Sequence, residues 1–303
     1  MKGENSRVET FYAPRQIKHR RRTKAEMDAF RHAILSVLAD DHPRSVRGVY
    51  YKLVTLGVIE KVENQYDAVD RATIQMRLAG ELPFEWISDG TRWVMRPRFY
   101  PSLLAGLENL RETDLQDIWA DQPCHLEFWC EKDALGPLFY QETEPFAVPL
   151  YVARGFSSIS FLHGAAKAII ADGKPAYIYY FGDFDPSGRS ISHSIETRLR
   201  QFAPDADITF VRVAVNEEQI EQLHLPTRPT KTSDKRHKNH VDESGNLLPS
   251  VELDAIDSPI LRRMVRECIE RHIDWDALAR TEKAAQHDRR FLEKLIQNIK
   301  WPG

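Results

Sequence analysis

Residues 176–202, AYIYYFGDFDPSGRSISHSIETRLRQF, decide the fold. A six-residue apolar run, AYIYYF, is too short for a helix and reads as a buried strand. It runs straight into Gly182-Asp183-Phe184-Asp185, and Pro186 then sits where a helix tolerates proline best, at its first position. The unit is therefore strand, acidic turn, helix. The same alternation extends outward in both directions: LEFWC (126–130), PLYVA (149–153) and ITFVRVAV (208–215) read as strands, and SSISFLHGAAKAIIADG (157–173) as a helix. Strands alternating with helices give an α/β fold whose sheet is mostly parallel and flanked by helices.

Ligands of such sheets bind at the carboxyl ends of the strands, and the acids of this chain gather there. LEFWC leads into Glu131-Lys132-Asp133 as AYIYYF leads into Asp183 and Asp185. Residues i and i+2 of an extended chain point the same way, so Asp183, Asp185 and Glu131 would share one hard cation if the two strands are neighbours. All-oxygen ligation suits Mg²⁺, with Mn²⁺ the alternative. For Asp185 there is a second role, since an Asp before Pro is a common helix start.

The 303 residues carry 42 Lys+Arg and 45 Asp+Glu, a net charge of −3 that by itself argues against a nucleic-acid partner. The charge is unevenly distributed. Residues 1–100 hold 18 Lys+Arg against 13 Asp+Glu (+5), leaving 24 against 32 (−8) for the remainder. Residues 1–24 form a basic arm in which Arg15, Lys18, Arg20, Arg21, Arg22 and Lys24 follow one another without an acid. Such a run suits a phosphate backbone or a solvated terminus equally. No apolar stretch approaches the length of a membrane span and the start is too polar for a signal peptide, so a cytoplasmic protein with no membrane partner is expected. Cys124, Cys130 and Cys268 form no C-x-x-C pair and read as core residues.

Between the arm and the first strand, residues 25–115 show a second pattern. Lys24–Asp40 is an amphipathic helix, Ser45 caps a second helix running through Leu56 to Gly57, and a third runs from Asn64 to Leu78 and stops at Gly80. GELPFEWISDGTRWVMRPRF then alternates aromatic and polar residues about Asp89-Gly90, a hairpin signal. Three helices and a hairpin are the winged-helix pattern, whose third helix would present Arg71, Gln75 and Arg77 to a DNA groove. On the second helix Val46, Val49, Tyr50, Leu53 and Val54 make one buried stripe. Tyr51 lies roughly 120° away from it, so its hydroxyl is expected in solvent or in a groove. With Arg44 and Arg47 one turn earlier, Tyr51 is either an ordinary surface tyrosine or a nucleophile toward a phosphodiester.

The acid after the first strand in FWCEKDAL, together with D-x-D-x-x-G in GDFDPSGRSI, resembles the Toprim domain of topoisomerases, bacterial primases and some nucleases. The order is more specific: a basic winged-helix segment containing Arg47-Gly48-Val49-Tyr50-Tyr51, then a Toprim domain over residues 120–303, is similar to the A subunit of topoisomerase VI and the related meiotic double-strand-break protein. In length the chain resembles their small stand-alone bacterial and phage relatives. The resemblance implies a winged-helix (CAP-like) domain before the Toprim domain, with Tyr51 as the catalytic residue assisted by Arg47 and Glu131. It implies Mg²⁺ on Glu131, Asp183 and Asp185 and a DNA contact from Arg154, beside those expected from Arg20, Arg21 and Arg22 of the arm, Arg44 near Tyr51, and Arg71 and Arg77 of the third helix. The family's basic loop falls on Ala153-Arg154-Gly155-Phe156-Ser157, with Ser157 where that loop has Pro.

The resemblance further implies double-stranded DNA as substrate, a 5′ phosphotyrosyl link, and a homodimer in which one protomer's Tyr51 works with the other's metal site. The sequence has no G-x-x-x-x-G-K-[ST] loop, so either a separate ATPase subunit supplies an ATP-driven gate or the protein breaks or binds strands without relaxing supercoils. Two other readings stand beside this one: a metal-dependent Toprim nuclease with water as nucleophile, and a non-catalytic DNA-binding module. Outside the shared pattern, the basic insertion at 224–246 is expected to be a mobile linker, its His237 and His240 having no partners at zinc spacing. SVELDAIDSPILRRMVRECIERHI (250–273) is expected to be a helix packed on the sheet.

Overall fold

The computed structural model describes residues 22–88, 100–113, 117–231 and 235–298. Near the N-terminus are α1 (Lys24–Asp40), α2 (Val46–Thr55) and α3 (Glu63–Leu78). Their starts and stops follow local chemistry. Thr23 and Glu26 form a reciprocal capping box on α1, the Ser45 hydroxyl accepts from the Gly48 N–H at the head of α2, and Gly57 and Gly80 follow α2 and α3 with φ of 69° and 72°. The three helices enclose a core of their own, built from Phe30, Ile34, Leu38, Val49, Tyr50, Leu53, Val69 and Met76.

The segment after α3 is described only as far as Ser88, ahead of the turn of the expected hairpin. Phe84–Trp86 is a single 3₁₀ turn, after which Ile87 forms a parallel bridge with Arg44. The Asp89-Gly90 turn and the following alternation lie outside the described residues. Helix α4 (Leu103–Thr113) comes next, and it packs along the last helix of the chain.

The rest is an α/β unit. Strands β1 (His125–Cys130), β2 (Leu150–Val152), β3 (Ala176–Phe181) and β4 (Ile208–Ala214) form one all-parallel sheet in the order β2-β1-β3-β4. Helices α5 (Gly136–Thr143), α6 (Ile159–Asp172), α7 (Pro186–Phe202) and α8 (Glu217–Gln222) connect or follow the strands, and α9 (Ser258–Glu270) and α10 (Trp275–Asn298) close the chain. Side chains alternate across the sheet. Leu126, Phe128, Cys130, Tyr179 and Phe181 face α5 and α9, while Trp129, Ile178 and Tyr180 face α6 and α7. Both faces are covered, which is why these strands read as continuous apolar runs rather than alternating ones.

Within 250–273 only the second half is helical. Val265, Cys268 and Ile269 of α9 enter the sheet core as expected, and Cys124 and Cys130 are buried too. Ser250–Asp257 instead runs as bridges and a 3₁₀ turn across the strand ends. The basic insertion is also ordered where it is described. Arg228 and Ser250 exchange backbone hydrogen bonds of 2.9 Å, the Thr230 hydroxyl donates to the Leu248 carbonyl, and His240 is buried. Antiparallel bridging to 247–251 explains why the linker expectation fails: its partners lie in the next segment of chain, beyond the reach of a composition argument.

Candidate functional site

Strands β1 and β3 are neighbours, with Cys130 opposite Phe181. The residues after them are therefore adjacent, and the Glu131 N–H donates to the Phe181 carbonyl at 2.9 Å. Glu131 Oε2 accepts from the Tyr180 hydroxyl at 3.0 Å and from the Asp183 N–H at 3.1 Å. Two glycines make this close approach possible. A Cβ on Gly182 would lie 2.4 Å from Glu131 Oε2, and one on Gly188 would lie 2.2 Å from the Asp183 carbonyl oxygen. The glycines of G-D-x-D-x-x-G are thus demanded by packing around the acids.

Burial and the like charge of Asp183 push the Glu131 carboxyl up to about 7. Asp183 is raised as well, by burial, against the pull of Lys132. Asp183 Oδ1 accepts from the Leu253 N–H at 2.7 Å and meets Lys132 Nζ at 3.2 Å. Asp185 turns the other way. Its Oδ1 caps α7 by accepting from the Gly188 N–H at 2.8 Å, and its Oδ2 lies 3.7 Å from Arg228.

The expected convergence of Glu131, Asp183 and Asp185 on one ion is therefore only partly met. Among the described residues no three acidic, histidine or cysteine side chains are grouped to hold a metal. The reason is local: helix capping claims Asp185, and Lys132 takes up one oxygen of Asp183. What remains is a two-carboxylate pair whose mutual repulsion a cation would relieve. Mg²⁺ commonly binds through one or two carboxylates and completes its shell with water and substrate phosphate, so the donor set fits it on Glu131 and Asp183.

A second set of acids had no place in the sequence reading. Glu252 and Asp254, two residues apart on the segment that crosses the strand ends, form the other half of the site. Lys132 Nζ lies 3.2 Å from Glu252 and 2.7 Å from Asp254, Arg47 reaches Glu252 at 3.1 Å and Arg228 reaches it at 2.9 Å. The Ser45 hydroxyl donates to Asp254 at 2.6 Å, and Asp257 pairs with Arg44 and Lys52. Their cationic partners hold Glu252, Asp254 and Asp257 below the ordinary carboxylate range against the cost of burial. Lys61 donates to the carbonyls of Pro226 and Thr227 at 2.7 Å, and burial with nearby Arg228 lowers its amine to about 8. The acid-x-acid spacing in VELDAID matches that in GDFD and was the one signal available beforehand. The β4 residue Arg212 carried no signal at all. Its guanidinium donates to the carbonyls of Gly182, Asp183, Gly188 and Val215 and holds the acidic turn in shape.

Of the two places that periodicity allows Tyr51, open solvent or a groove, the structure excludes the first. Tyr51 is 4 % exposed rather than in open solvent, because residues 252–257 and 224–226 cover the side of α2 that its own bundle leaves free. It borders a cavity of about 170 Å³ that also touches Lys52, His224, Leu225 and Asp254. Burial and Glu252 raise its phenol well above the ordinary value, against Lys132, Arg47 and Arg228.

The other expected contacts divide. Arg44 is 1 % exposed and committed to Asp41 and Asp257, so in this conformation it anchors α2 instead of facing a phosphate. Arg22 packs over Phe30 and bonds Gln65. Arg71 is exposed on α3, and Arg77 lines a groove of about 400 Å³ with Arg47, Tyr66 and Lys132. Arg154 is exposed with φ of 47° and pairs with Asp133 at 3.4 Å. Arg20 and Arg21 lie outside the described residues.

Compared with known proteins, the chain matches no protein-family model and no curated protein. No described helix is long and apolar enough to cross a membrane.

Proposed function

We propose that this protein cleaves DNA at the strand-end acids in the manner of a type IIB topoisomerase A subunit, with Tyr51 as nucleophile. The observation that carries the reading is the shared charged cluster. Glu252 gathers Arg47, Lys132 and Arg228, Tyr51 and Asp254 line one cavity, and Lys132 in turn touches Asp254 and Asp183 beside Glu131. In the reaction the phenolic oxygen forms a bond to phosphorus, the bond from phosphorus to the neighbouring sugar oxygen breaks, and that oxygen ends with the phenolic proton. Mg²⁺ on Glu131 and Asp183 would neutralise charge developing on the phosphate.

In the clasped conformation the phenol is hard to ionise. Lifting α2 away from residues 252–257 removes both causes of that, burial and Glu252, while Arg47 travels with Tyr51 on the same helix. The clasp is then a resting state, and docking of Tyr51 at a second protomer's acids in a homodimer is its working state. A winged-helix domain over residues 25–115 belongs to the same reading. So does a separate ATPase subunit.

Burial of Tyr51 also favours a second reading, in which water attacks and Glu131, poised near neutrality, moves the proton. One experiment separates the two. Supercoiled DNA is incubated with the protein and Mg²⁺ or Mn²⁺, denatured, and run with and without protease. A DNA shift that protease abolishes, and that Tyr51→Phe lacks, supports the tyrosine. Protease-independent cleavage retained by Tyr51→Phe supports water.

A further inference from the structure

Beside the acids is a surface that the cleavage chemistry does not use. Phe156, on the loop between β2 and α6, is 53 % exposed. Arg154 and Gly155 before it have φ of 47° and 84°, a tight left-handed turn after which the chain emerges at the surface. The Arg236 guanidinium lies 4.9 Å from the Phe156 ring centroid, and its Nη1 donates to the Ser187 hydroxyl at 2.7 Å. Ser187 is two residues from Asp185, on the first turn of α7. An exposed ring, an arginine over it and a second arginine, Arg154, thus stand together at the carboxyl end of the sheet, next to the acidic turn.

We propose that Phe156 and Arg236 form a stacking platform for an unpaired base of a single-stranded or locally opened nucleic acid. The inference rests on the proposed function and deepens it by naming the substrate as DNA with unpaired bases near the acids. A flat ring and a guanidinium plane are the two surfaces on which bases stack without sequence preference. The exposed cation over the ring, Arg236, favours a polyanion over an apolar protein partner, since a phosphate would meet its charge and an apolar surface would only desolvate it.

The test uses the full-length protein in EDTA, so that binding is read without cleavage. The probes are a fluorescent oligothymidylate and a blunt duplex of the same length, read by anisotropy at several salt concentrations. Phe156→Ala should weaken oligothymidylate binding by about tenfold and leave the duplex affinity and both salt slopes unchanged. Phe156→Trp should bind as wild type does. Arg236→Ala should weaken the single strand and reduce its salt slope by about one ion. Unchanged oligothymidylate affinity in Phe156→Ala overturns the platform, as does an equal loss for both probes. A shift in oligomeric state on Phe156→Ala, read by light scattering, overturns it in favour of a self-interface. Duplex binding with no single-strand binding defeats this inference alone, whereas loss of binding to both probes in the wild type defeats the proposed function with it.

Discussion

Glu131 is a carboxyl group with two hydrogen bonds to its charged form and still a raised pKa, because burial and Asp183 outweigh both donors. Its folded value of about 7 lies above the ordinary 4.5, so the native state holds the proton more tightly than the unfolded chain between those limits. The stability this contributes is complete below about 4.5, falls as pH rises toward 7 and is flat beyond. Glu131→Gln, melted in EDTA, should match wild type at pH 4.5 and exceed it at pH 8 by on the order of 1–3 kcal/mol. Mg²⁺ should raise the wild-type melting temperature at pH 8 and leave that of Glu131→Gln nearly unchanged. Tyr51→Phe removes one hydroxyl from a buried ring, so chemical denaturation should show a change within about 1 kcal/mol. Loss of the covalent adduct in that variant would therefore report chemistry rather than misfolding.

The elements that matter most are the short ones. The acidic turn from Gly182 to Asp185 is held from above by Arg212 and from the side by Gly188, whose missing Cβ leaves room for the Asp183 carbonyl. Gly188→Ala should push α7 off the turn. A loss of roughly 2–3 kcal/mol in urea denaturation is expected, together with loss of the Mg²⁺-dependent rise in melting temperature. The 252–257 segment acts on α2 in a comparable way. Glu252 is 5 % exposed and serves Arg47, Lys132 and Arg228. Glu252→Ala leaves three cations short of a partner and should cost about 3 kcal/mol. It should also release α2, which hydrogen exchange across residues 46–55 would detect as faster exchange than in wild type.

Across the whole molecule, charge decides where a polyanion can lie. The basic first third and the acidic remainder meet at the clasp, where Arg47 pairs with Glu252 and Arg44 and Lys52 pair with Asp257. Cations spent there do not attract DNA in the clasped conformation. Duplex binding should therefore depend on the arm and on the exposed Arg71 of α3. Deleting residues 1–21 should flatten the dependence of log affinity on log salt by several ions, measured by anisotropy between about 50 and 200 mM salt.

The elements and the first acid pair were legible in the sequence because their causes are local. Apolar runs of six, Ser45 and Thr23 at helix heads, and glycines after α2 and α3 act within a few residues, and two strands ending in acids place those acids together once the sheet is parallel. Tyr51 shows the limit of that logic. Helical periodicity identifies the face a helix turns to its own bundle, and Tyr51 lies off that face; it is buried by a segment about 200 residues later in the chain. The same distance separates Arg44 from Asp257 and Ser45 from Asp254. Sequence alone determined the sheet, its acidic edge and the helices before it. Only the tertiary structure decided that Lys132 and a second pair of acids share that edge, that Asp185 serves helix α7, and that the tyrosine rests covered, because ion pairs between distant segments leave no periodic trace in either one.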